Sequence, residues 1–260
     1  MTRFVSFNVL SGRSVADGRV DADRFAAAIA SLKADVLVLQ EVDRDQERSG
    51  GLDLTTLAAE AMGAPHAVFA PALFGTPGRR WTRARDGEDP GGPAYGNALL
   101  SRFPLRDIGF FRIPPAPVIV PLFVPGHGAV LVREEPRVAV IARVDTGVGH
   151  GVTVVGTHLP FVPGWNRVQL GRLVNHLEPR PEPLLLLGDL NLRGGTPARV
   201  TGWTPLATAA TFPVGTPRWQ LDHALLRGDL ANFGAVTATA TPALPVSDHR
   251  AVVVDVDLAG

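Results

Sequence analysis

Short aliphatic runs of strand length, each ending in polar residues, recur along the chain. Phe4 to Leu10 alternates and then loses its pattern in Ser11-Gly12-Arg13, as a strand entering a polar loop does. Asp21 to Leu32 starts acidic and carries Phe25, Ile29 and Leu32 at helical spacing, which predicts a helix. Ala34 to Asp43 is a buried strand ending in carboxylates, so a strand–helix–strand unit opens the chain. Thr55 to Met62 predicts a second helix, stopped by Gly63. Tyr95 to Arg102 reads as a strand. Arg137 to Val144 and Gly151 to Thr157 read as a hairpin pair, the second strand ending at His158. Arg167 to Leu177 is an amphipathic helix. It leads into Pro183 to Asn191, a continuous apolar run that suits a strand buried on both faces. Gly188 is expected to turn the chain out of that strand. Asp189 and Asn191 then project to one side if extended geometry continues. The chain is loop-rich until Trp219 to Leu226 and closes with Pro245 to Val254.

Two stretches break this rhythm. Phe74 to Pro93 reads as a long loop rich in Gly and Pro and holding Arg79, Arg80, Arg83 and Arg85, either a solvated loop or an arm touching an anionic substrate. Ile113 to Gly128 carries Pro114, Pro115, Pro117, Pro121 and Pro125 among aliphatic residues, a density that forbids a central strand. It suits a packed lid, with an exposed contact surface for lipid or protein as the alternative. No fixed-period repeat or linker divides the chain, so one domain over residues 1–260 is expected.

Composition narrows the chemistry. At 260 residues the chain can bury a full α/β core, and its formal net charge of zero gives no overall field for nucleic acid or anionic lipid. There is no cysteine, which removes disulfides, thiolate metal sites and cysteine nucleophiles. The amino terminus lacks the apolar core of a signal peptide and no run is long enough to span a bilayer, so a cytoplasmic location is the expectation.

Nine polar residues stand at strand ends: Asn8, Glu41, Asn97, His158, Asp189, Asn191, Asp222, Asp248 and His249. A turn or a satisfied polar group would explain any one of them; nine together at the ends of aliphatic strands suggest a ligand crevice. Carboxylate and amide oxygens favour a hard cation, Mg²⁺ or Mn²⁺, over structural zinc. The chain has no Gly-x-Ser-x-Gly elbow, Gly-x4-Gly-Lys-Ser/Thr loop or His-Glu-x-x-His, which leaves hydrolysis by metal-assisted water.

Phe7-Asn8, Leu39-Gln40-Glu41, Tyr95 to Arg102, Gly156-Thr157-His158-Leu159, Gly188-Asp189-Leu190-Asn191, Leu221-Asp222-His223 and Ser247-Asp248-His249 resemble, in order, the motifs of the endonuclease/exonuclease/phosphatase (DNase I-like) superfamily. The resemblance spans almost the whole chain. It implies a four-layer α/β/β/α sandwich of two mixed, mostly antiparallel sheets with helices outside, and a Mg²⁺-dependent phosphoesterase acting on a phosphodiester or phosphomonoester. It also implies roles. Glu41 would ligate the metal, with Asn8 and Asp248 beside it. His249 would act on the phosphoryl group, oriented by Asp222. Asp189 would orient or deprotonate the attacking water, Asn191 would fix it or a phosphate oxygen, and His158 would donate to another. Asn97 and Arg102 are candidate substrate contacts. Nuclease activity, a lipid head-group phosphodiesterase or phosphatase, and a non-catalytic module of the same fold all remain open, as does contact with a membrane surface. Two departures count against an abasic-site role: Leu10 stands where some abasic endonucleases carry an acidic residue, and His158 where they have tyrosine.

Overall fold

The computed structural model describes residues 1–116, 119–124 and 128–260. The chain runs through β1 (Thr2–Asn8), α1 (Ala22–Leu32), β2 (Val36–Arg44), α2 (Leu54–Met62), β3 (His66–Gly75), β4 (Trp81–Arg83), β5 (Ala94–Ser101) and β6 (Leu105–Ile113). Next come β7 (Ile119–Val124), β8 (Gly128–Arg133), β9 (Arg137–Val144), β10 (Val152–His158), α3 (Trp165–Leu177) and β11 (Leu184–Asp189). It closes with α4 (Thr196–Thr201), β12 (Thr204–Pro205), β13 (Asp222–Arg227), α5 (Leu230–Phe233), β14 (Gly234–Ala240) and β15 (Val252–Leu258).

One sheet has the order β14-β15-β1-β2-β5-β3-β4 and the other β12-β13-β11-β10-β9-β6. The pairs β1/β2 and β10/β11 are parallel and the other sheet pairings are antiparallel. Period-two alternation sorts the side chains into layers. Val36 and Val38 of β2 and Leu185 and Leu187 of β11 meet between the sheets. Leu37 and Leu39 face α1 and α2 through Phe25, Ile29, Leu54 and Ala58, while Leu184 and Leu186 face α3 through Leu170, Leu173 and Leu177. The result is the expected α/β/β/α sandwich, with β11 buried on both faces. Helix ends follow their capping residues. The Asp21 carboxylate accepts from the Arg24 N–H at α1, Asp53 accepts from Thr55 and Thr56 at α2, and Gly63 closes α2 in the left-handed region.

Several elements depart from the sequence reading. Residues 74–93 are not wholly loop: Phe74 and Gly75 finish β3, and Trp81–Arg83 folds back on it as β4. The strands β3, β6 and β14 had no clear signature. Pro71 interrupts β3, β6 has a register shift between Arg106 and Gly109, and β14 is a largely exposed edge of small residues. Within the proline-rich 113–128 stretch, Ile113 ends β6, and among the described residues β7 and β8 pair only with each other and join neither sheet; residues 117, 118 and 125–127 lie outside the described residues. Gly188 does not turn the chain. It sits inside β11, where an added Cβ would lie 2.0 Å from the Thr157 carbonyl oxygen, so only glycine lets β10 and β11 close here. No helix among the described residues is long and apolar enough to cross a membrane.

Candidate active site at the mouths of the two sheets

β1 and β2 of one sheet and β10 and β11 of the other deliver their carboxyl ends to a shared edge, and the loop before β15 adds Ser247, Asp248 and His249. Asn8, fully buried, joins the two sheets: its Nδ2 donates to Glu41 Oε1 and to Asp189 Oδ2, each at 3.1 Å. Its Oδ1 accepts from the Leu10 N–H. Asn8 therefore acts as a donor between two carboxylates, with its own oxygen already engaged. Glu41 owes its position to a bulge in β2 between Leu39 and Val42, where it takes the left-handed backbone at φ 56°.

Asp189 is the centre of the cluster. His158 Nε2 lies 3.6 Å and His249 Nε2 3.7 Å from its Oδ2, and its Oδ1 accepts from the Asn191 N–H at 3.0 Å. Asn191 is not extended as the period-two reading supposed. It turns to φ 49°, which sends its Nδ2 to the Leu159 carbonyl at 2.9 Å and to within 3.3 Å of His158 Nε2. The Asn166 amide of α3 fixes it from behind through the Asn191 carbonyl.

His249 Nδ1 meets Asp222 Oδ2 at 2.8 Å. Its backbone N–H donates to Ser247 Oγ, which in turn donates to the Asn8 carbonyl at 2.6 Å. Thr211 Oγ1 accepts from the Leu221 and Asp222 N–H groups and so seats the aspartate. Sequence reasoning passed over Thr211 and Asn166, which act from loops or helices distant in sequence. Ser247 was visible as part of Ser-Asp-His but was given no role.

Burial sets the charges. It pushes the Asp189 carboxyl up to about 7, reinforced by Asp222. Burial alone would lower the His249 imidazole, but Asp222 and Asp189 outweigh it and hold His249 at about 10, a cation at neutral pH. His158 goes the other way: burial, then the charges of Arg137 and His249, keep it well below the usual histidine value and neutral. Burial also raises Glu41, and the neighbouring Asp248 charge adds to this.

Asp189, Asp222 and His249 each place a potential ligand atom within 4.8 Å of the others; with His249 held as a cation, the carboxylates are the groups of this cluster that fit a metal ion, and Asp222 Oδ1 is buried with no hydrogen-bond partner among the described residues. Glu41, whose carboxyl is raised by burial and by the Asp248 charge beside it, forms with Asp248 a second acidic pair at the edge.

Of the two expected substrate contacts, Asn97 is buried at the mouth, where its Nδ2 donates to the Val138 carbonyl across the sheets at 2.7 Å. Arg102 lies at the opposite end of the sheet, bonded to the Met62 carbonyl and paired with Asp35, because β5 runs antiparallel to β2 and carries its last residues away from the site. The arginine loop after β3 is tethered by Arg44–Asp89 at 2.7 Å and Arg112–Asp86 at 2.8 Å.

Residues 5–249 match the profile of the Endonuclease/Exonuclease/phosphatase family. Among solved structures, an endonuclease/exonuclease/phosphatase from Beutenbergia cavernae is 24% identical with a TM-score of 0.70, covering 100% of this chain and 72% of that one. Sphingomyelinase C from Streptomyces griseocarneus is 18% identical with a TM-score of 0.61, covering 100% and 99%. The human Nocturnin catalytic domain with bound sulfate is 18% identical with a TM-score of 0.60, covering 99% and 94%. At these identities the likeness shows a shared fold and no more. No curated protein matches the chain. The profile match over nearly the whole chain, together with the acid–histidine cluster at the sheet mouths, means that this chain belongs to the Endonuclease/Exonuclease/phosphatase family and is a hydrolase of phosphate esters.

Proposed function

We propose that the protein hydrolyses a phosphodiester with Mg²⁺ or Mn²⁺ by direct attack of water on phosphorus. The observation that carries this reading is the continuous line Asp222–His249–Asp189–Asn8–Glu41, which links a charged imidazole to three carboxylates across both sheets. Glu41 and Asp248 would hold the metal, with Asn8 steadying Glu41. Once bound, the ion would neutralise phosphoryl charge and lower the cost of attack.

The chain's own groups supply the rest. Asp189, raised by burial to about 7, is matched to taking a proton from water at neutral pH. Its Oδ1 is held by the Asn191 N–H, which leaves Oδ2 directed at the two histidines. His249, kept protonated by Asp222, presents positive charge and an N–H to the phosphoryl oxygens. His158, neutral and in contact with Asn191, lines the other side of the acceptor position.

A diester is favoured over a monoester by the space beside His249. A cavity of about 720 Å³ opens there, lined in part by Phe161, Arg167, Arg193, Phe212 and Trp219. Arg193 lies over the Trp219 ring at 4.4 Å, giving a wall that can receive an ester substituent. Nucleic acid fits this reading.

A second reading, a lipid head-group phosphodiesterase or phosphatase, draws on the apolar sequence of the β7/β8 ribbon. That ribbon is rooted at the mouth, because the strands on either side of it pair Ile113 with Arg137. Deleting residues 118–124 and measuring vesicle binding separates the two: lost binding favours lipid, and unchanged binding removes it.

The principal test is hydrolysis of bis(4-nitrophenyl) phosphate with added Mg²⁺. Asp189→Ala, His249→Ala and Glu41→Gln are each expected to abolish turnover while keeping the fold. Full activity in any of them would overturn the mechanism.

A further inference from the structure

Arg137 opens β9 at the edge where β10 delivers His158. The antiparallel register sets Ala139 against Thr157, which brings Arg137 and His158 to the same end of adjacent strands. The next residue of β9, Val138, accepts from Asn97 of the facing sheet, so this end of β9 is tied to β5. Arg137 thus stands where both sheets open, although no motif marks it.

Its charge is poorly compensated. Arg137 is only 9% exposed, and a buried guanidinium is costly unless its N–H groups are paired. Glu134 is the acid within ion-pair distance among the described residues, and its Oε1 is 3.7 Å from Arg137 Nε, too far for a hydrogen bond. Both atoms are buried without a hydrogen-bond partner among the described residues. The other Glu134 oxygen is turned away to accept the Ala116 N–H. The charge is felt across the strand pair at His158, whose imidazole is kept well below the usual histidine value by burial and then by Arg137. An arginine held in this way is suited to an arriving oxyanion, which its planar fork can meet with two N–H groups.

We propose that Arg137 is a substrate-binding residue of this site, its guanidinium taking a non-bridging phosphoryl oxygen on the His158 side of the cleft, with Glu134 as its positioning residue. The proposal rests on the phosphoester reading above. The competing role is structural: Arg137 and Glu134 would merely hold the root of the β7/β8 ribbon.

Two measurements on the full chain decide between them. In the first, wild type, Asp189→Ala, Arg137→Met, Arg137→Lys and Glu134→Gln are assayed on bis(4-nitrophenyl) phosphate, and Arg137→Ala is assayed with and without added guanidinium. Arg137→Met is expected to lose about 10²-fold in kcat/KM with a fall in kcat. Arg137→Lys, which keeps the charge without the fork, should fall between it and wild type, as should Glu134→Gln. Added guanidinium should restore part of the Arg137→Ala activity, which a structural role would not allow. The second measurement is calorimetric binding of inorganic phosphate, which needs no turnover. Its affinity should weaken about tenfold in Arg137→Met.

Wild-type kcat/KM and phosphate affinity in Arg137→Met would overturn the assignment. So would activity losses that track unfolding and resist guanidinium; if the Met and Ala variants fail to fold, a fully active, wild-type-binding Arg137→Lys does the same. Turnover by wild type but not by Asp189→Ala, with Arg137→Met unaffected, would leave the hydrolase reading standing without Arg137. Phosphate binding that depends on Arg137, with no phosphoester hydrolysed, would do the reverse.

Discussion

Asp222 is fully buried, gives one oxygen to His249 and leaves the other without a hydrogen bond among the described residues. Its charge is the largest of those that keep His249 protonated against the cost of burial, with Asp189 next. Asp222→Asn keeps the shape and removes that charge, so kcat/KM is expected to fall by about 10²–10⁴ with little change in fold, as follows when a buried aspartate partner of a catalytic histidine is lost. Steady-state kinetics beside circular dichroism check this. Ser247 carries a quieter burden, bonding the His249 N–H and the Asn8 carbonyl from a left-handed turn at φ 74°. Ser247→Ala should cost about 1–2 kcal/mol in urea unfolding and lower activity by loosening both residues. At this scale the site was legible wherever a polar residue directly follows an aliphatic strand, as Asn8, His158 and Asp189 do. Arg137 opens its strand rather than ending one, and Thr211 and Asn166 act from sequence-distant segments. Their roles exist only once the strands are packed.

Among the elements, β11 shows how local sequence and tertiary closure divide the work. Its Leu184–Leu187 run announces a strand buried on both faces, yet Gly188 looks like a turn until Thr157 of β10 is set against it. Gly188→Ala forces a Cβ against the Thr157 backbone and should destabilise by about 1–3 kcal/mol, with loss of activity because His158 and Asp189 occupy the next paired position. Urea denaturation and a rate measurement test both effects. Of the strands missed in the sequence, β3, β6 and β14 are interrupted or exposed, so burial imposes no clean alternation on them.

The closing β1/β15 pair makes a separate prediction. Hydrogen bonds from the Arg3 guanidinium hold Asp255 below the usual carboxylate range. A lowered folded-state value means that the stabilisation is present above the unfolded carboxylate value and is lost as pH falls through the folded one. Asp255→Asn should therefore cost about 1 kcal/mol at neutral pH, a difference that shrinks as pH drops below about 4. Thermal melts of both proteins across pH measure it.

For the whole molecule, a formal net charge of zero leaves recognition to local features. The tethered arginine loop, the cavity beside His249 and the β7/β8 ribbon all border the mouth of the sandwich. The sandwich brings together residues from both ends of the chain, Asn8 and His249, around Asp189. Metal-assisted hydrolysis by that cluster is read out by the rate on bis(4-nitrophenyl) phosphate in ¹⁸O-labelled water, with Mg²⁺ and then with a chelator. Turnover should place the label in the phosphate product, stop on chelation and be absent in Asp189→Ala. Turnover that survives chelation, or that persists in Asp189→Ala, would contradict it.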